Sequence, residues 1–181
     1  MMKATGIVRR IDELGRVVIP KEIRRTLHFR EGDPLEIYTD QDGGVILKKY
    51  SVIGEMEPYV REFADSIYHT IGCTAVITDK DTVLAASGQG KKDLLGQPLS
   101  AQLQKSMDQR KGVKKEKSGR EVPIPLTEND KNEYASQCIM PIIGGGDVLG
   151  AVILTSQNET LTDAAYKNAE TAAYFLGNQS Q

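Results

Sequence analysis

The chain has 181 residues, enough for one large or two small domains, with 39% hydrophobic residues, no tryptophan and a formal net charge of −2. Taken whole, that charge argues against nucleic acid, but divided at Tyr50 it does not. Residues 1–50 carry ten Lys/Arg against eight Asp/Glu, and residues 51–181 carry thirteen against seventeen, so a basic head precedes an acidic body. No apolar run is long enough to cross a bilayer, and the N-terminus lacks the hydrophobic core of a secretory signal, so a cytoplasmic protein with no membrane partner is expected.

The head opens with two short apolar runs, Ile7-Val8 and Val17-Val18-Ile19, around the turn-forming Asp12-Glu13-Leu14-Gly15. A short helix is predicted from Pro20, because proline has no N–H to leave unpaired at a first helical position. On that helix Ile23 and Leu27 share an apolar side, while Lys21, Arg24, Arg25 and His28 fall at i, i+3, i+4, i+7 on another. Six Lys/Arg lie between Arg9 and Arg25 against three carboxylates, an electrostatic footprint for a polyanion unless they only solvate the surface. After a turn at 30–34, Leu35–Thr39 alternates as a strand, Asp42-Gly43-Gly44 turns, and Val45–Leu47 returns. About four strands and one helix make too small a core for a single copy, and no cysteine or metal cluster compensates. Dimerisation with shared strands is the economical solution.

Residues 51–55 read as a linker. A helix is predicted over 55–71, with Met56, Val60, Phe63, Ile67 and Ile71 forming a seam that suits either a domain core or a dimer face, and Gly72 ending it. Strands at 73–78 and 82–88 flank an Asp79-Lys80-Asp81 turn, and Leu99–Met107 carries a short amphipathic helix. The run Arg110, Lys111, Lys114, Lys115, Lys117 and Arg120 reads as a solvated loop in preference to a second DNA contact. Val122–Leu126 is expected as an edge strand interrupted by prolines. Residues 136–143 and 148–154 form a hairpin about Gly144-Gly145-Gly146-Asp147, which is not a phosphate loop because no GK[ST] follows and a strand comes next. A last helix opens near Thr160-Leu161-Thr162-Asp163, and its Ala165/Ala169/Ala173 ridge allows close approach of another helix.

Residues 3–50 carry TGIVR-x-IDELGR-VVIP-x-E-x-RRTL nearly without gaps and resemble the DNA-binding domain of the AbrB family of transition-state regulators. The resemblance implies a swapped-hairpin barrel shared by two chains, with DNA contacts from arginines matching Arg9, Arg16, Arg24 and Arg25; Arg10 and Lys21 join them on charge and position alone. In the body, AVITDKDTVLAASG followed by CIMPIIGGGDVLGAVILTS resembles the GAF family of small-molecule sensor domains. The expected whole is an α+β chain: an AbrB-like head at 1–50, a linker at 51–55 and a GAF-like body at 56–181. This order is similar to that of sporulation-stage transcription regulators. It implies a sequence-specific regulator, activating or repressing, that binds double-stranded DNA as a homo-oligomer. The head would make dimers, and the body would join them into tetramers and take a small-molecule ligand of unspecified identity.

Two other functions compete. Some GAF-type domains reduce methionine sulfoxide with cysteines, but Cys73 and Cys138 lie on apolar strands, form no CxxC pair and have no adjacent cation to lower their pKa, so no enzyme is expected. Related swapped-hairpin antitoxins pair with toxins through a disordered tail, whereas here a structured domain follows the head. No cofactor or metal site is predicted.

Overall fold

The computed structural model describes residues 5–179. The chain divides at Tyr50/Ser51 into a small unit, the head, and a larger one, the body.

In the head, helix α1 is Lys21–Thr26, followed by strands β1, Leu35–Thr39, and β2, Val45–Lys49, paired antiparallel. Only two of the four expected strands are present, since residues 5–19 form no ladder. The reason is a missing partner. Val8 is 84% exposed and Val18 71%, and no described residue of the head is fully buried. Strand pairing stabilises only when it also hides an apolar face, and one copy of this segment has nothing to hide it against. Pro20 stands one residue before the helix, at the N-cap.

In the body, the expected linker is a helical turn instead, α2, Val52–Glu55, with Ser51 accepting a hydrogen bond from Gly54 N–H at 3.0 Å and Ile53 fully buried. Burial of Ile53 in the main core turns a would-be hinge into part of the domain. Helix α3, Glu57–Ile71, ends at Gly72. Strands β3, Thr74–Thr78, and β4, Val83–Ser87, follow, then short helix α4, Lys91–Leu94, and α5, Ala101–Asp108, capped by Ser100. Strand β5, Val113–Glu116, lies inside the run expected as a loop; β6, Ser136–Gly144, and β7, Asp147–Ser156, form the long hairpin; α6, Asp163–Asn178, is capped by Thr162.

The five strands make one antiparallel sheet in the order β4-β3-β7-β6-β5. Alternation along each strand feeds two cores. Ala75, Ile77, Cys138, Met140, Val152 and Leu154 meet Ile53, Val60, Ala64, Ile67 and the alanine ridge of α6. Val76, Ile139, Ala151 and Ile153 meet Leu94, Leu99, Leu103, Met107, Leu126 and Tyr134. The α3 seam is therefore a core face. With both sheet faces covered, β3 is buried at every position.

The expected edge strand at Val122–Leu126 is not one. Pro123 and Pro125 cannot donate to a ladder, and the segment's polar groups go to side chains and caps. Gln137, buried on β6, accepts from Ile124 N–H at 3.1 Å and donates to its carbonyl at 3.0 Å. Asp130 accepts from Leu126 N–H at 2.8 Å and from the Tyr134 hydroxyl at 2.8 Å, while Ser100 donates to the Pro125 carbonyl at 2.6 Å.

Gly177, buried in α6, lies so close to β6 that a Cβ there would stand well inside van der Waals contact distance of the Ile143 carbonyl oxygen. Alanine normally stabilises a helix interior relative to glycine by about 1 kcal/mol. Here the sign should invert. Gly177→Ala is expected to destabilise the body by about 1–3 kcal/mol, since a backbone oxygen cannot move aside; urea unfolding of the full chain measures this, and a more stable variant would contradict it.

Candidate nucleic-acid interface

The turn at residues 12–16 is built on one carboxylate. Asp12 N–H donates to the Arg16 carbonyl at 3.0 Å and Gly15 N–H to the Asp12 carbonyl at 2.9 Å, closing the loop. Asp12 Oδ1 accepts from Leu14 N–H at 3.0 Å and Arg16 N–H at 2.8 Å, which is what aspartate at the head of a turn does. Gly15 takes a left-handed φ of 75°, a region glycine enters without steric cost. The second oxygen, Oδ2, accepts from Arg16 Nε at 2.8 Å. The Arg16 backbone N–H, and then its guanidinium, hold the Asp12 carboxyl below the usual carboxylate range.

Helix α1 carries Lys21, Arg24 and Arg25 at the spacing of one face. It ends in a Schellman-type cap, with Phe29 N–H donating to the Arg24 carbonyl at 2.7 Å and His28 N–H to the Arg25 carbonyl at 3.4 Å. His28 occupies the left-handed position of that cap, with φ 54°. It therefore terminates the helix rather than extending the basic face. Arg9 and Arg10 lie on the strandless segment before the turn, where an Arg9 Nη nitrogen donates to the Val8 carbonyl at 3.0 Å.

Of the six cations, Arg24 is half-buried and the other five are exposed. Of these six, only Arg16 is ion-paired among the described residues. The Arg24 Nε is buried without a hydrogen-bond partner. In the body the lysines are engaged instead: Lys114 pairs with Asp163 and lies over the Tyr166 ring, Lys115 meets Glu121 at 3.0 Å, and Lys117 meets Glu133 at 3.0 Å. Arg110 donates to the Gly146 carbonyl at 2.7 Å. Four of the six cations of this run are thus engaged on the body's own surface.

The two cysteines are free thiols. Burial pushes the Cys138 thiol up to about 12 and raises that of Cys73 as well, the direction opposite to thiolate activation. Among the described residues no group of His, Cys, Asp or Glu is arranged to hold a metal ion, and no helix is long and apolar enough to cross a membrane.

Reading by charge counted Asp12 among the carboxylates opposing the basic cluster and missed its bond to Arg16. The signal was the five-residue spacing Asp-x-x-Gly-Arg, which returns a turn-capping aspartate to the side chain that follows the glycine.

A family model of the MazE antitoxin, described as antidote-toxin recognition, matches residues 8–54. Over 49 residues the chain is 69% identical to transition state regulatory protein AbrB of Bacillus subtilis (strain 168), covering 27% of this chain and 50% of that one. The body shares its fold with the GAF domain of an Acinetobacter phosphoenolpyruvate-protein phosphotransferase, with a TM-score of 0.55 at 14% identity over 72% of this chain and 82% of that one. The model of the stage V sporulation protein T C-terminal domain, described as a transcription factor, matches residues 55–181. Stage V sporulation protein T of Bacillus subtilis (strain 168) is itself 48% identical over 180 residues, 99% of each chain. With likeness running from end to end, the chain belongs to the stage V sporulation protein T family of transcription factors.

Proposed function

We propose that this regulator of sporulation genes binds duplex DNA in a sequence-specific manner through Arg9, Arg10, Arg16, Lys21, Arg24 and Arg25, from a head that two copies build together by exchanging strands. One observation carries the reading: among the described residues five of these six cations have no carboxylate partner, whereas Lys114, Lys115 and Lys117 of the body's basic run are paired with its own acids. Unpaired guanidinium groups suit phosphates and guanine edges. Helix α1 spans only six residues, so recognition by loops and strand ends fits better than a long helix in the major groove. The bare apolar residues of the head, Val8, Ile11, Val17 and Val18, supply the reason for a second copy. An acceptor from that copy or from a phosphate would also satisfy the buried Arg24 Nε.

The body joins dimers into tetramers. Phe63 of α3 stacks on Phe175 of α6 with ring centroids 5.6 Å apart, and Tyr59 and Tyr174 stand 68% and 73% exposed on the same two helices. An aromatic face of this kind suits a mate of the same chemistry. The GAF-type fold is suited to holding a small molecule that tunes assembly, and both thiols, raised by burial, are poorly set for thiolate chemistry. The protein acts in the cytoplasm, where its DNA is. The antitoxin likeness ends at residue 54, where a body with its own core begins.

Two outcomes test this. With at least eight arginines on a pair of heads, log affinity for duplex DNA is expected to fall against log salt with a slope of about −5 to −8, taking ~0.9 per neutralised phosphate. Replacing Arg24 or Arg25 by alanine is expected to cost roughly 1–3 kcal/mol of binding where the side chain reads a base; gel shifts at several salt concentrations measure both, and undiminished affinity after joint replacement of Arg16, Arg24 and Arg25 would overturn the assignment. Separately, Tyr59→Asp combined with Phe175→Asp should convert tetramers to dimers that still bind DNA, as read by light scattering; persistence of the tetramer would move the contact elsewhere.

A further inference from the structure

The head contains the Asp12 turn twice. Twenty-eight residues on, Asp40 N–H donates to the Gly44 carbonyl at 3.0 Å and Gly43 N–H to the Asp40 carbonyl at 3.3 Å, while Asp40 Oδ1 accepts from Asp42 N–H at 3.1 Å and Gly44 N–H at 2.6 Å. Each bond of the first turn has its counterpart, including the left-handed glycine, Gly43 at φ 80°. One difference remains. Where the first turn has Arg16 the second has Gly44, and Asp40 Oδ2 lies 2.5 Å from the place a Cβ of residue 44 would occupy.

The second turn is a control written into the same chain. It closes with one carboxylate oxygen and no arginine, so the backbone geometry does not need the bond between Asp12 Oδ2 and Arg16 Nε. That bond is also a poor source of stability, because the side chains are 41% and 71% exposed and exposed ion pairs contribute little. What it does is fix a long cation. With Nε held at 2.8 Å, the guanidinium loses rotamer freedom before any ligand arrives, and neither Nη nitrogen has a protein acceptor among the described residues.

We propose that Asp12 is a positioning residue for DNA readout: Oδ1 closes the turn, and Oδ2 aims the Arg16 guanidinium end-on, leaving its two Nη donors to pair bidentately with a base edge. The inference rests on Arg16 contacting DNA, as proposed above. Its chemistry sets two effects against each other. The Asp12 carboxylate repels phosphates, so removing it strengthens binding to any duplex. It also pre-orients Arg16, so removing it weakens preference for the right sequence. Affinity alone would blur these two. The ratio of specific to non-specific affinity separates them.

The test uses the full-length protein and two duplexes: one enriched from a random-sequence pool by the wild-type protein, and a shuffled duplex of equal length and composition. Asp12→Asn keeps an acceptor for the turn N–H groups and replaces the Nε acceptor with an amide donor. It should leave melting temperature and subunit count unchanged, raise affinity for the shuffled duplex, and lower the specific-to-shuffled ratio roughly tenfold, the lower part of the range for losing one bidentate base contact. Asp12→Ser, which also keeps a single acceptor, should do the same. Asp40→Asn should leave the ratio unchanged. In an Arg16→Ala background Asp12→Asn should change the ratio less than about twofold, since aim without a side chain has no effect. The proposal is overturned if either Asp12 variant keeps the wild-type ratio, if Asp40→Asn lowers it equally, if the Asp12 and Arg16 effects add, or if neither Asp12 variant folds. An Arg16→Ala protein with the wild-type ratio would instead sink the DNA assignment of Arg16, a result distinct from all of these.

Discussion

Apolar side chains with nothing to bury them set the terms for the head. Val8, Ile11, Val17 and Val18 neighbour Arg9, Arg10 and Arg16 on a segment that finds no strand partner among the described residues. The β1–β2 hairpin and a six-residue helix cannot supply the missing layer. In this head the exposed arginines stand beside apolar side chains that are themselves uncovered.

The body solves the same burial problem alone. Its sheet has a core on each face, one against α2, α3 and α6 and one against α5 and the segment held by Gln137 and Asp130. On the surface of this body Lys114, Lys115, Lys117 and Lys167 meet acids of the same domain. The contrast is between Lys114, Lys115 and Lys117, which meet acids of the body, and Arg9, Arg10 and Arg25, which are exposed and have no carboxylate partner among the described residues.

How much of this was legible in the sequence depended on the range of the interaction. Helices α3 and α6, the β3–β4 and β6–β7 hairpins and the glycine turn were readable, since hydrophobic period and turn chemistry are local. The four strands expected in the head were read from local alternation too, but a strand exists only with a partner, and residues 5–19 pair with none among the described residues. Val122–Leu126 read as a strand because its apolar residues alternate; Gln137, thirteen residues away from Ile124, supplies the bonds instead, and no local pattern announces that. Residues 51–55 read as a linker because Ser51 and Gly54 mask Ile53, whose burial is a long-range fact. At the candidate site the basic residues were legible from charge, while the Asp12–Arg16 bond needed the turn geometry to become visible.

The Gln137 amide imitates a neighbouring strand with a single side chain, donating to and accepting from the same residue of the segment it holds. A ladder would have left a further row of open peptide groups along its outer margin. Here prolines on both sides of Ile124 remove two N–H groups, and the Ser100 hydroxyl and Asp130 occupy the Pro125 carbonyl and Leu126 N–H. A foreign β-strand approaching this segment would meet scarcely any backbone to zip onto, so the second core is sheltered here without adding another open strand edge.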